Sequence, residues 1–197
     1  MLKEIDWITI SADIGLGAVA SATLSICLGL LIAVRYSPLR LWPHRRIDIF
    51  RIHRLLAYLT LVAIAAHVLV LLLARRVIFR WIDILLPIHS PLQPLQNTLG
   101  AIALYVLLVV LISSLVRVEI GRRLWKSLHY LAYPAGLLLF IHGIFTDSEL
   151  KTGKADLLDG EKVFVMGCFL LVLGASLFAL RLRRIRAREK LLRTVAG

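Results

Sequence analysis

The sequence predicts an all-α membrane protein, a polytopic helix bundle with about five transmembrane helices, its N-terminus outside and its C-terminus cytoplasmic. Three observations carry that prediction. Of the 197 residues, 59% are apolar and only 18% are charged, against about 45–50% and about 25% in a soluble domain. Five stretches contain no Asp, Glu, Lys or Arg: Ile14–Val34, Leu55–Ala74, Ile84–Val116, Ser127–Thr146 and Val163–Leu180. They run 21, 20, 33, 20 and 18 residues, and a bilayer-spanning helix needs about 20. The remaining charge is strongly basic, 24 Lys and Arg against 12 Asp and Glu, and it falls unevenly between the loops. A soluble basic domain for nucleic acid is excluded, because five such runs would be insoluble and neither base-stacking motifs nor zinc-finger spacings are present.

The first helix is expected over 13–34. A mixed charged segment, Met1–Asp13, precedes it, and the apolar run is too long for a cleavable signal core. Gly15, Gly17, Ala18 and Ala20 are small residues suited to close helix packing. A dinucleotide fingerprint would need a preceding strand. The second helix is expected over 54–74. The 33-residue run is too long for one helix, and Pro87, Pro91 and Pro94 break its first part. Residues 84–97 therefore read as an outer loop touching the interface, with the third helix over 98–116. The fourth is expected over 127–146, with a bend near Pro134, and the fifth over 162–181. The chain divides into an outer N-terminal segment 1–13, a membrane domain 14–180 and a basic cytoplasmic tail 181–197.

Alternate segments share a side of the membrane. Counted by segment, one side collects 17 Lys and Arg and the other 7. The richer side is cytoplasmic by the positive-inside rule, and the setting is a cell membrane. Cys27 and Cys168 lie inside apolar runs and read as packed thiols rather than a disulfide or metal pair.

Four of the six histidines bracket two helices. His53 and His67 are 14 residues apart on the second, and His129 and His142 are 13 apart on the fourth. Ionisable side chains inside a span mark functional sites; a hydrogen-bonded packing role is the alternative for any single one. Helices two and four run in the same direction, so His53 and His129 share the cytoplasmic level and His67 and His142 the outer level. The levels lie about 20 Å apart, which fits a hydrocarbon core about 30 Å thick. Paired imidazoles at one level can clamp a haem iron from both sides. The 14-residue step keeps one helical face; the 13-residue step falls about 140° off, so the fourth helix must deviate between its histidines. Gly136 suits either a macrocycle edge or helix packing. Zinc fits less well, since it wants about four ligands at one point.

The segments RIHRLLAYLTLVAIAAHVLVLLL (51–73) and RRLWKSLHYLAYPAGLLLFIHG (122–143) resemble the two haem-ligating helices of the ferric reductase-like transmembrane superfamily. That group includes ferric reductases, NADPH oxidases and the haem-binding subunit of a bacterial methionine-sulfoxide reductase system. The proline-bearing loop LLPIHSPLQPL is similar to bacterial members. The resemblance implies two b-type haems, the inner on His53 and His129 and the outer on His67 and His142, in a bacterial inner or plasma membrane. It implies single-electron transfer from a cytoplasmic donor to an outer-side acceptor. The 17 residues after the last span are too few for the flavin and NADPH domain of ferric reductases. Flavin is therefore expected only through a partner, either a separate cytoplasmic reductase or replaced by a quinol donor. The chain then reads as an oxidoreductase component. The alternatives are a quinol-oxidising cytochrome b subunit serving a partner such as a periplasmic methionine-sulfoxide reductase, and a non-redox scaffold or transporter.

Arg54, with Arg51, Arg122, Arg123 and Lys126, lies level with the inner pair and suits either haem propionates or positive-inside anchoring. Arg75, Arg76 and Arg80 fall on the outer side, where cations are disfavoured; outer propionates or snorkelling would account for them. The acidic loop Asp147–Glu161 reads as solvated, or as a lure for a cationic acceptor. The basic tail is expected to lie on anionic lipid or to dock an acidic reductase.

Overall fold

The computed structural model describes residues 6–35, 48–73, 79–146 and 159–195. Within them the chain is helical, and five helices are long and apolar enough to cross a membrane. Helix α1 (Trp7–Ala33) and α2 (Ile49–Leu71) are the first two spans. Both begin on an aspartate. The Asp6 carboxylate accepts the Ile8 and Thr9 amides, and Asp48 accepts those of Phe50 and Arg51. Each such cap contributes about 1 kcal/mol by satisfying amides that have no helical partner.

The segment expected as an outer loop touching the interface holds short helical turns. A short helix α3 (Trp81–Leu85) and a 3-10 turn over Pro87–His89 lead into α4 (Pro94–Leu115). The third span therefore starts at Pro94 rather than near Thr98, since proline at the first helical position gives up only an amide that would be unpaired anyway. The loop is tied to α4: Asn97 donates to the Ser90 hydroxyl at 3.0 Å and to the Leu92 carbonyl at 2.8 Å, and the Tyr105 hydroxyl donates to the Leu85 carbonyl. Arg80 caps α3 by clasping Asp83, with Nε and Nη2 3.1 and 3.0 Å from its oxygens. That hydrogen bonding holds the Asp83 carboxyl below the usual carboxylate range. One of the three outer arginines thus has an acidic partner of its own. Arg75 and Arg76 lie outside the described residues, as do His44 and most of the acidic loop.

The fourth span, Gly121–Phe145, is two helices, α5 (Gly121–His129) and α6 (Ala132–Phe145). Pro134 has no amide to give the Tyr130 carbonyl, which instead accepts from Tyr133 at 3.2 Å in a tighter i to i+3 step. The expected bend is thus an interruption at Tyr130–Leu131, with Pro134 inside the first turn of the new helix. The fifth span is the long α7 (Gly160–Val195). It continues without a break into the basic tail, so a tail flat on lipid would need a bend that this helix lacks. Arg186 donates to the Val34 carbonyl at the end of α1, where a cation meets the negative end of the helix dipole.

Helix α1 is the centre of the bundle and packs on α2, α6 and α7, while α4 packs on α6 and α5. Many of the buried residues are small or hydroxylated, Ser11, Ala18, Ser21, Ala22, Thr23 and Ser25 on α1, Thr60 on α2, Ala103 on α4 and Ala135 on α6, and they pack beside a few larger ones such as Leu139, Phe140 and Val165. Large side chains such as Leu55, Leu59 and Val62 on α2 and Leu170, Leu171 and Leu177 on α7 face outward. This is the pattern of helices that associate in lipid, where small residues permit close approach and apolar bulk can face the solvent. Gly136 serves packing, since a Cβ there would come within 2.9 Å of Ile26 Cδ1. Cys27 and Cys168 are free thiols.

Candidate functional site

Among the described residues, α2 packs extensively only on α1, and two pairs of imidazole rings approach each other between α2 and the α5–α6 span. His53 on α2 meets His129 on α5 with ring centres 6.3 Å apart and planes at 77°. His67 on α2 meets His142 on α6 at 6.3 Å and 75°. The interruption before Pro134 is what lets two residues 13 apart face the same neighbour.

The oxygens around the rings assign the proton to Nδ1, since a main-chain carbonyl beside three of the rings can only accept. Ser11 Oγ donates to the His67 carbonyl at 2.8 Å, and Ser25 Oγ to the His53 carbonyl at 3.3 Å. Thr146 Oγ1 donates to the His142 carbonyl at 2.7 Å, and Ser114 Oγ to the Val110 carbonyl at 2.7 Å. With their protons spent, these oxygens can only accept from the histidines. His67 Nδ1 donates to the Ser11 carbonyl at 2.7 Å, His53 Nδ1 to that of Ser25 at 2.9 Å, and His142 Nδ1 to that of Gln96 at 2.8 Å. His129 Nδ1 reaches Ser114 Oγ at 3.4 Å. In every ring the anchored atom is Nδ1, which leaves the unprotonated Nε2 for a ligand. This is the arrangement by which outer partners orient a metal-bound imidazole.

The backbone makes room for three of the four rings. A Cβ at Gly15 would lie 3.1 Å from His67, one at Gly29 3.3 Å from His53, and one at Gly100 3.0 Å from His142. His129 instead stacks on Trp125, with centres 5.2 Å apart and planes at 28°.

These residues fit a haem clamped from both sides. Two imidazoles sharing one metal through Nε2 would have ring centres about 6.2 Å apart, from a metal–nitrogen bond of about 2 Å and about 1.1 Å more to each ring centre, close to the 6.3 Å of both pairs. Edge-to-face ring contact allows the same separation, but it would not require four anchored Nδ1 atoms. No group of three or more His, Cys, Asp and Glu that could hold a metal ion exists among the described residues, so the donor set offers two imidazoles per level.

The other expected site residues sit at the margins. Arg54 and Arg123 are exposed beside His53 and in α5, and Lys126 lies over the Tyr130 ring at 5.7 Å. Sequence reasoning missed Ser11, Ser25, Gln96, Ser114, Trp125 and Thr146. One signal was available: Ser11 and Ser25, like Gly15 and Gly29, repeat at the same 14-residue step as His53 and His67.

No curated protein and no solved structure matches the chain. Residues 16–140, more than half of the chain, match the ferric reductase like transmembrane component family. The matched stretch contains His53, His67 and His129 and stops two residues before His142. With five membrane-length helices and a family match across four of them, the chain belongs to the ferric reductase-like transmembrane family.

Proposed function

We propose that this protein carries single electrons across a membrane through two bis-histidine b-type haems, one on His53 and His129 and the other on His67 and His142. The observation that carries this reading is the equal 6.3 Å separation of both ring pairs together with four imidazoles anchored through Nδ1. Family membership supports transmembrane electron transfer in general, and domains of this family generally bind haem. A bound haem would supply a one-electron couple at each level. The chain's own residues do the rest. The serines, Gln96 and Thr146 orient the ligands, and the glycines of α1 and α4 let the rings sit against the backbone. With an imidazole on each side, neither centre would have an open position, which suits electron transfer rather than oxygen binding. The 17 to 7 division of basic residues supports a cytoplasmic donor beside His53 and His129 and an acceptor on the opposite side. The donor would be a separate flavin reductase or a quinol. Arg54, Arg123, Arg75 and Arg76 are candidates for the propionates.

A reduced-minus-oxidised spectrum of the purified protein tests this reading. Two haems per chain with b-type bands are expected, falling to one in His53→Ala and to one in His67→Ala. Absence of a b-type signal, or loss of neither haem in these variants, would overturn it.

A further inference from the structure

The four imidazoles are not held alike. His53, His67 and His142 each donate to a main-chain carbonyl at 2.7–2.9 Å. The partner of His129 is a side-chain hydroxyl at 3.4 Å, and that oxygen also accepts the Trp125 indole N–H at 3.3 Å. Because Ser114 Oγ donates to the Val110 carbonyl, both of its remaining lone-pair positions are occupied, one by the indole and one by the imidazole. Trp125 also stacks on the His129 ring, one helical turn earlier on α5. His129 is the last residue of that helix, next to the interruption.

A carbonyl that accepts a short bond from Nδ1 pushes electron density onto the ring and makes Nε2 a stronger donor to a metal. A stronger donor stabilises the oxidised iron and lowers the reduction potential. A shared, longer hydroxyl bond does this least. Resting on the haem reading above, we propose that Ser114 and Trp125 are positioning residues that set the potential of the His53–His129 centre above that of the His67–His142 centre. Ser114 is the acceptor, and Trp125 weakens it by competing for the same oxygen while holding the ring flat against its indole. The electron therefore rests on the His53–His129 centre.

The two residues should act in opposite directions, which separates tuning from mere packing. The haem-loaded full chain is titrated through its b-type absorbance in wild type, Ser114→Ala, Ser114→Thr and Trp125→Phe. The His67→Ala variant, which keeps only the His53–His129 centre, identifies the component belonging to that centre. That component is expected at the higher potential in the wild type. In Ser114→Ala it moves up, with the reduced-to-oxidised ratio at fixed ambient potential rising roughly fivefold, the scale of one neutral hydrogen bond. In Trp125→Phe stacking is kept and the competitor removed, so it moves down. Ser114→Thr keeps the hydroxyl and the wild-type value, and the other component stays in place throughout. A lower wild-type potential for the His53–His129 centre, shifts in one direction for both variants, or no shift in either overturns the inference. Should Ser114→Ala lose that haem, a downward move in Trp125→Phe supports the inference and any other result overturns it. A wild-type protein without b-type bands refutes the haem reading itself, a result distinct from haem that is present but insensitive to these residues.

Discussion

At Gly100 the backbone of α4 passes so close to His142 that an added Cβ would lie 3.0 Å from both Cε1 and Nδ1 of the ring. Alanine is favoured over glycine inside a helix by about 1 kcal/mol, so a glycine with no neighbour would improve on substitution. Here the ring must move, and with it the bond from Nδ1 to the Gln96 carbonyl, one turn earlier on the same helix. Gly100→Ala is therefore expected to stabilise α4 locally while the haem-to-protein ratio falls from two towards one; an unchanged ratio would show that the close contact carries no function. The histidines were legible in the sequence because an ionisable group inside an apolar run stands out without any knowledge of its neighbours. Gln96 was not, because its contribution is a main-chain carbonyl, and every residue type offers the same one. Ser114 was equally silent, since a serine within a span ordinarily bonds its own helix, as this one also does with Val110.

Among the elements, the α5–α6 span shows how a local defect serves the geometry. An ideal helix would place His129 and His142 about 140° apart around its axis. The interruption at Tyr130–Leu131 re-phases the second half so that both meet α2. Pro134 was the visible cause, and its effect follows from the missing amide alone. Replacing it restores a donor for the Tyr130 carbonyl and lets α5 and α6 run on as one helix, in whose interior proline would cost about 3 kcal/mol. Pro134→Ala should then raise helical content by circular dichroism and lower occupancy of one haem, as the two histidines turn apart. Retention of both haems would mean that packing on α1 and α4, rather than the proline, holds the two halves in phase. The loop before α4 was less legible. Its prolines announce broken helix, but the short α3 and the Asn97 bonds depend on which residues the turn brings together.

For the molecule as a whole, the long α7 carries seven of the 24 basic residues beyond its apolar stretch, and Arg186 ties that extension to the end of α1. With five spans the two termini fall on opposite sides of a membrane, and the orientation we propose from the charge asymmetry has the α7 extension in the cytoplasm. A protease added to sealed, right-side-out vesicles should leave residues 181–195 uncut, whereas inverted vesicles should lose them; cleavage in the first case would reverse the orientation and with it the direction proposed for the electron. The number of spans, their approximate limits, the charge bias and the candidate ligands were determined by the sequence itself, because hydrocarbon thickness and the cost of placing charge in it act on each segment separately. Which helices meet was decided only by the tertiary structure. The pairing of His53 with His129 and of His67 with His142 at one common distance, the anchoring of Nδ1 by α1 and α4, and the different partner of His129 all depend on contacts between segments far apart in the chain. Those contacts are set by how small and hydroxylated residues fit between helices, which no single segment records.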